Sequence, residues 1–329
     1  MDFLKSFIDI ILNCDITNTY KMAWARALVD IACDLSATIA PDQRVKITLD
    51  QIAERFLNYY WNHTFFFNLK QGPVTPTIVS LVKELIQKYI VFSGSQRPIR
   101  YEKINFQESL RNDFDRCIKK IVSILKKDVS HRFLQLRGRD LGWMYEYKKN
   151  ANSLQIKGEW LQILEKNKEI LYPIINSRWA QIVESFDYSP RINKKVKFLN
   201  DAGYPREPLK RFRKWLDLAN PDHLCFLCGN PIPERELSID HVIPWSYLFE
   251  DNLWNLVYVH KRCNSSKSNT IPSEAEIKKL EARNTKLFQI FSEKGFYKGG
   301  KLPGKKIAED LKFARENNLV HKFWIGCKG

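Results

Sequence analysis

Two ligand pairs with the same spacing, Cys225-Phe-Leu-Cys228 and His260-Lys-Arg-Cys263, constrain this chain more than any other stretch. A lone Cys-x-x-Cys is weak, but a second pair with the same gap completes a Cys3His set suited to a closed, tetrahedral structural Zn2+. A segment tied at both ends by one ion must fold back on itself, so a small metal-stapled module is expected here. The chain has seven cysteines, an odd number, and only these three form a pattern. That favours metal chemistry in a reducing compartment over a disulfide framework. Cys14, Cys33 and Cys117 lie in apolar helical surroundings and read as packed thiols, Cys327 as a spare on the tail. His223 is the substitute ligand if His260 points elsewhere.

Between the two pairs, the alternation of Leu237-Ser-Ile-Asp240-His241-Val-Ile243 reads as a strand that sends Asp240 and His241 to opposite faces. Asn255 comes fifteen positions after Asp240, and Asn264 nine later at the start of a short helical segment. Asp and Asn oxygens suit a hard cation such as Mg2+, which takes few protein ligands. An adjacent imidazole accepts a proton from water near neutral pH. With Lys267 as a nearby cation, these are the minimal parts for phosphodiester hydrolysis. The charge balance agrees: 53 Lys and Arg against 37 Asp and Glu give a net charge of +16, which attracts polyanions and makes nucleic acid the leading partner.

Residues 225–272 resemble the HNH, or ββα-metal, nuclease module. The intervals from Asp240-His241 to Asn255 and Asn264 are similar to those of the HNH domain of the CRISPR RNA-guided nuclease, and the zinc set is similar to that of bacterial HNH restriction enzymes. The resemblance implies that His241 is the general base, that Asp240 and Asn264 hold a catalytic metal, and that Asn255 braces the loop and orients His241. Many relatives end the motif with histidine; here Asn264 stands in its place, and oxygen ligands favour Mg2+ or Mn2+ over nickel or zinc. The implied activity is metal-dependent endonucleolytic hydrolysis of double-stranded DNA, of restriction or phage-defence type, leaving 5′-phosphate and 3′-hydroxyl ends. A zinc-stapled binding module without cleavage and a toxin-like nonspecific DNA or RNA nuclease are the alternatives. Residues 19–32, Tyr59-Tyr60-Trp61 and Arg178-Trp179-Ala180 are similar to uncharacterised bacterial HNH proteins.

The rest of the chain predicts a mainly α protein. A large helical region over 1–190 is expected to serve recognition, regulation or oligomerisation, followed by a basic linker with the HNH domain over 191–272 and a helical extension over 273–329. Residues 1–130 read as consecutive helices, beginning with an amphipathic one whose Asp2, Lys5 and Asp9 argue against a signal peptide. A helix is expected over 104–125, a short hairpin near 143–156, a helix from Pro173 to Phe186 with proline in its first turn, and helices over 273–294 and 305–317. The aromatic run 58–67 reads as a core seam more than as a base-stacking surface. No apolar run reaches the ~18 residues of a membrane span, so a cytoplasmic protein is expected. Arg191 to Lys214 is nearly one-signed and reads as a phosphate-contact strip, with Lys210, Arg211, Arg213 and Lys214 as nucleic-acid ligands. The Gly-rich loop 298–304 lacks the features of a phosphate cradle. One such site cuts one strand, so a homodimer is expected for double-strand breaks, with apolar helical stripes as its surface.

Overall fold

The computed structural model describes residues 2–35, 39–104, 108–198, 208–297 and 304–328. They pack as two units, Met1–Tyr188 with Ile192–Ala202, and Ser189–Arg191 with Gly203–Gly329. Among the described residues no helix is long and apolar enough to cross a membrane.

The first unit is built from α1 (Phe3–Asn13), α2 (Tyr20–Leu35), β1 (Arg44–Thr48), α3 (Leu49–Phe67), α4 (Thr77–Ser93), α5 (Glu108–Ile124), β2 (Gln135–Leu136), β3 (Arg139–Asp140), β4 (Ser153–Lys157), α6 (Gly158–Lys166), α7 (Lys168–Glu184) and α8 (Ile192–Lys197). Local signals set the helix starts: the Asp2 side chain accepts from the Lys5 amide, and Thr48 with Gln51 forms a reciprocal capping box. Tyr60 and Trp61 are fully buried, so the aromatic run is a core seam, as its apolar spacing indicates. Trp61 packs on Tyr89 and Phe114, and Tyr60 on Trp179. Several buried polar groups bond to one another inside this core. Thr19 donates to Gln71 Oε1 at 2.8 Å, and Trp179 Nε1 donates to the same oxygen at 2.9 Å. Arg26 bonds Asn176 at 2.9 Å between the rings of Tyr59 and Tyr172.

Four expectations for this unit are refined or corrected by the structure. The segment near 143–156 holds the short antiparallel pairing expected of it, Glu146 with Gln155, but its one strand, β4, pairs mainly with β1. The partner strand is remote in sequence, so a local turn signal could not reveal it. Pro173 lies inside α7, which begins at Lys168; the lead-in before it includes Leu171, which packs into the core. The helix expected over 104–125 is α5, which passes into a π-helical turn, Leu125–Val129. The apolar stripes proposed as a pairing surface are interior.

The second unit comprises α9 (Arg213–Ala219), β5 (Leu237–His241), α10 (Trp245–Leu248), β6 (Leu256–His260), α11 (Lys261–Lys267), α12 (Glu274–Glu293), α13 (Lys305–Glu316) and α14 (Leu319–Lys328). Strands β5 and β6 pair antiparallel, with Asp240 opposite Val257 and His241 opposite Leu256. Every residue of β6 is buried, so the strand runs through the middle of the unit. The core joins Val242, Ile243, Leu256 and Val259 to Ile277, Leu280 and Leu287 of α12 and to Leu311 and Trp324 beyond. The helices after residue 273 therefore share one apolar interior with the strand–loop–strand segment. Arg283 and Asn284 of α12 also donate to the carbonyls of Leu253 and Trp254. The Gly-rich loop lies outside the described residues apart from Gly304, which precedes α13.

Candidate active site

The two predicted ligand pairs converge. The Sγ atoms of Cys225, Cys228 and Cys263 and a ring nitrogen of His260 lie within 4.8 Å of one another. His260 Nδ1 is 3.5 Å from Cys228 Sγ and 3.9 Å from Cys263 Sγ. Bonds of about 2.0 Å to nitrogen and 2.3 Å to sulfur in a tetrahedral site imply donor-to-donor edges of about 3.5–3.8 Å, so the set fits zinc. The turn that presents the first pair closes through the Gly229 amide donating to the Cys225 carbonyl, and Gly229 has φ +77°, which a side chain would strain. His260 Nε2 lies 3.1 Å from the Pro231 carbonyl, so that nitrogen carries the hydrogen and Nδ1 is left as the ligand atom. Burial pushes the Cys225 thiol up, but the backbone amides of Cys228 and His260 outweigh it and bring it down to about 6. A thiolate is the form a metal binds. His223 is engaged elsewhere, with Nε2 2.9 Å from Asp217, and is not part of the set.

Beside this knuckle, β5, β6 and α11 form a ββα arrangement. Alternation along β5 puts Ser238 and Asp240 on the face that meets α11, where Asn264 and Lys267 are one helical turn apart. Asn264 Nδ2 donates to Ser238 Oγ at 3.3 Å, and Lys267 Nζ donates to Asp240 Oδ2 at 2.9 Å. The same ammonium donates to the His241 carbonyl at 2.6 Å, tying helix to strand end. The Asp240–Lys267 pair is largely shielded, at 17% and 9% side-chain exposure, so it is screened less than a surface bridge. Asp240 and Asn264 bring hard oxygen donors to one seam, and those suit Mg2+ or Mn2+.

His241, the last residue of β5, bonds to a different part of the unit. Its ring is buried, and Nε2 lies 2.9 Å from Asp251 Oδ1 in the 249–252 loop. That loop turns at Phe249, with φ +54°, and its Glu250 accepts from Arg191 at 2.7 Å and from Asn252. Asn255 is fully buried and grips the chain after His241: its Oδ1 accepts from the Ile243 amide and its Nδ2 donates to the Ile243 carbonyl, both at 2.8 Å. The Val242 amide donates to the Asn255 carbonyl. Asp251 and Ser238 went unmarked in sequence reasoning. Asp251 reaches the site only because the loop folds back, and the acidic run 250–251 carries no spacing code for that.

The basic run resolves into different environments. Lys210, Arg211 and Lys214 are exposed, with Arg211 over the Phe212 ring and Lys214 over Trp215. Arg213 makes a two-pronged bond to Glu234 at 2.6 and 2.7 Å. Lys195 is fully buried with its ammonium 6.0 Å above Phe67, and Arg191 bonds Glu250. Within the expected phosphate-contact strip, acidic neighbours and core packing therefore take up Arg213, Arg191 and Lys195, while Lys210, Arg211 and Lys214 stay exposed. Arg206 lies outside the described residues.

Residues 225–273 match the family described as HNH endonuclease. Residues 4–198 match the family described as a domain of unknown function (DUF8808), which covers more than half of the chain. Neither a curated protein nor a solved structure matches the chain. An HNH domain implies a metal-dependent nuclease with a nucleic-acid substrate.

Proposed function

We propose, on the premise that this chain belongs to the DUF8808 family and carries an HNH endonuclease domain, that it hydrolyses phosphodiester bonds of double-stranded DNA. The observation that supports this most directly is the seam between β5 and α11, where Asp240 bonds Lys267 and Asn264 bonds Ser238 while His241 ends the same strand. A Mg2+ or Mn2+ held by Asp240 and Asn264 would polarise the scissile phosphate and favour departure of the leaving oxygen. His241 takes a proton from the attacking water. That oxygen bonds to phosphorus, the bond from phosphorus to the 3′ oxygen breaks, and the 3′ oxygen is protonated from solvent. The ends are a 5′-phosphate and a 3′-hydroxyl. Asn255 braces the turn after His241, and Lys267 holds the Asp240 carboxylate and the strand end. The zinc knuckle fixes where β6 passes into α11.

The setting we infer is restriction or phage defence, on the likeness of the zinc set to bacterial restriction enzymes, with the helical unit serving target choice or control. A single set of cleavage residues per chain supports action as a homodimer on the two strands.

The test incubates purified protein with methylated and unmethylated phage and plasmid DNA in Mg2+ or Mn2+ and maps the ends. His241→Ala is expected to lower the rate by ~10²–10⁴ while folding and DNA binding persist. Cleavage by His241→Ala at the wild-type rate refutes the mechanism. Binding without cleavage by the wild type favours the stapled binding module, and RNA cleaved as well as DNA favours the toxin-like nuclease. Light scattering beside a supercoiled-plasmid assay tests the dimer: a monomer yielding only open circles is a nickase.

A further inference from the structure

His241 has two ring nitrogens, and the structure treats them differently. Nε2 lies 2.9 Å from Asp251 Oδ1, and the pair is largely shielded, with side-chain exposures of 6% and 14%. An ionised carboxylate can only accept, so the hydrogen of the neutral imidazole must sit on Nε2. Nδ1 is then the nitrogen with the lone pair. We propose that Asp251 is a positioning residue which locks His241 in the Nε2–H tautomer and fixes its ring, so that Nδ1 is the atom that takes the proton from water. This rests on the reading of His241 as the base.

The loop is built for such a task. Phe249 in the left-handed region and the Phe249 amide bonded to the Trp245 carbonyl reverse the chain directly after α10. Within the next two residues the acids diverge: Glu250 is held by Arg191 and Asn252, and Asp251 points inward at the imidazole. Beyond it, the carbonyls of Leu253 and Trp254 are fixed by Arg283 and Asn284. The carboxylate therefore cannot be displaced without moving a loop anchored on both sides. Asn255 restrains the backbone after His241, and Asp251 restrains its ring. An imidazole held only by its backbone would exchange tautomers and spend part of its time with a hydrogen on the attacking nitrogen.

Asp251→Asn keeps the volume and removes the charge that selects the tautomer. It is expected to retain zinc and DNA affinity while the single-turnover rate falls by ~10²–10⁴, the range seen when an orienting carboxylate is neutralised or a base is lost. Asp251→Glu should recover part of that rate. Long-range 1H–15N spectra of 15N-histidine-labelled protein, with His241 assigned through His241→Ala, are expected to show Nε2 protonated in the wild type and a mixture in Asp251→Asn. A wild-type spectrum with the hydrogen on Nδ1 overturns the proposal without any variant. So does an Asp251→Asn protein that cleaves within about threefold of wild type. If His241→Ala cleaves normally while the wild-type spectrum shows Nε2–H, the base assignment has failed and the tautomer lock stands as a structural pair only.

Discussion

Replacing Asn255 by alanine is the sharpest test of how this site is held. The Asn255 side chain satisfies both the amide and the carbonyl of Ile243 at 2.8 Å, and both residues are fully buried. Water cannot substitute at a fully buried backbone without an opening, so alanine strands one donor and one acceptor. Each stranded group costs about 1–3 kcal/mol, which gives about 2–6 kcal/mol before relaxation. Asn255→Asp preserves the acceptor for the Ile243 amide but loses the donor to the carbonyl, and should lie between wild type and alanine. The assay is chemical denaturation followed by tryptophan fluorescence, with Trp254, which shares the core of the second unit, as the local probe. Cleavage should fall together with stability, because the residue after next to His241 loses its anchor. A loss below about 1 kcal/mol for Asn255→Ala, with the first unit's transition unchanged, refutes the brace.

Three further outcomes are expected. Cys228→Ser should abolish tightly bound zinc, found by elemental analysis of protein purified without added metal, and destabilise the second unit far more than Asp240→Ala; wild-type protein without zinc refutes the knuckle. Burial brings His63 down to about 3 from an ordinary value of 6.5, so between those values the unfolded chain binds the extra proton and stability falls as pH drops through the window, by at most about 1.4 kcal/mol per pH unit. Thermal melts from pH 7 to 4 should show this slope in the first unit, and His63→Gln should flatten it. Lys210, Arg211 and Lys214 changed together to Ala should weaken DNA binding across sequences and reduce its salt dependence by about 0.9 per lost phosphate contact, whereas Arg213→Ala, already committed to Glu234, should change the slope less.

The chemistry of this chain was more legible in its sequence than its architecture. Ligand spacing is a local signal, so the Cys225, Cys228, His260 and Cys263 set could be read directly, as could the strand carrying Asp240 and His241 and the capped start of α12 at Ser273. What pairs with β4 was not legible, because β1 lies about a hundred residues earlier and its short run resembles any loop-flanked strand. Pro173 misled for a physical reason: proline favours a first turn, but packing of Leu171 outweighs one missing amide bond. The pairing within the basic run was not legible, because charge counts do not reveal which cations meet acids such as Glu234 and Glu250 once the chain folds back.

The shared interior of the second unit bears on how such a nuclease can be reused. The segment that resembles other HNH enzymes ends near residue 273, yet its strands and loop rest on α12, α13 and α14, and two α12 side chains grip the backbone next to Asn255. Grafting the motif alone onto another protein would leave Leu256, Val259 and Ile243 without their apolar neighbours. A transferable cassette must run to the last helix, and gene fusions or truncations that stop at the motif boundary should yield insoluble or metal-free protein even with every ligand retained.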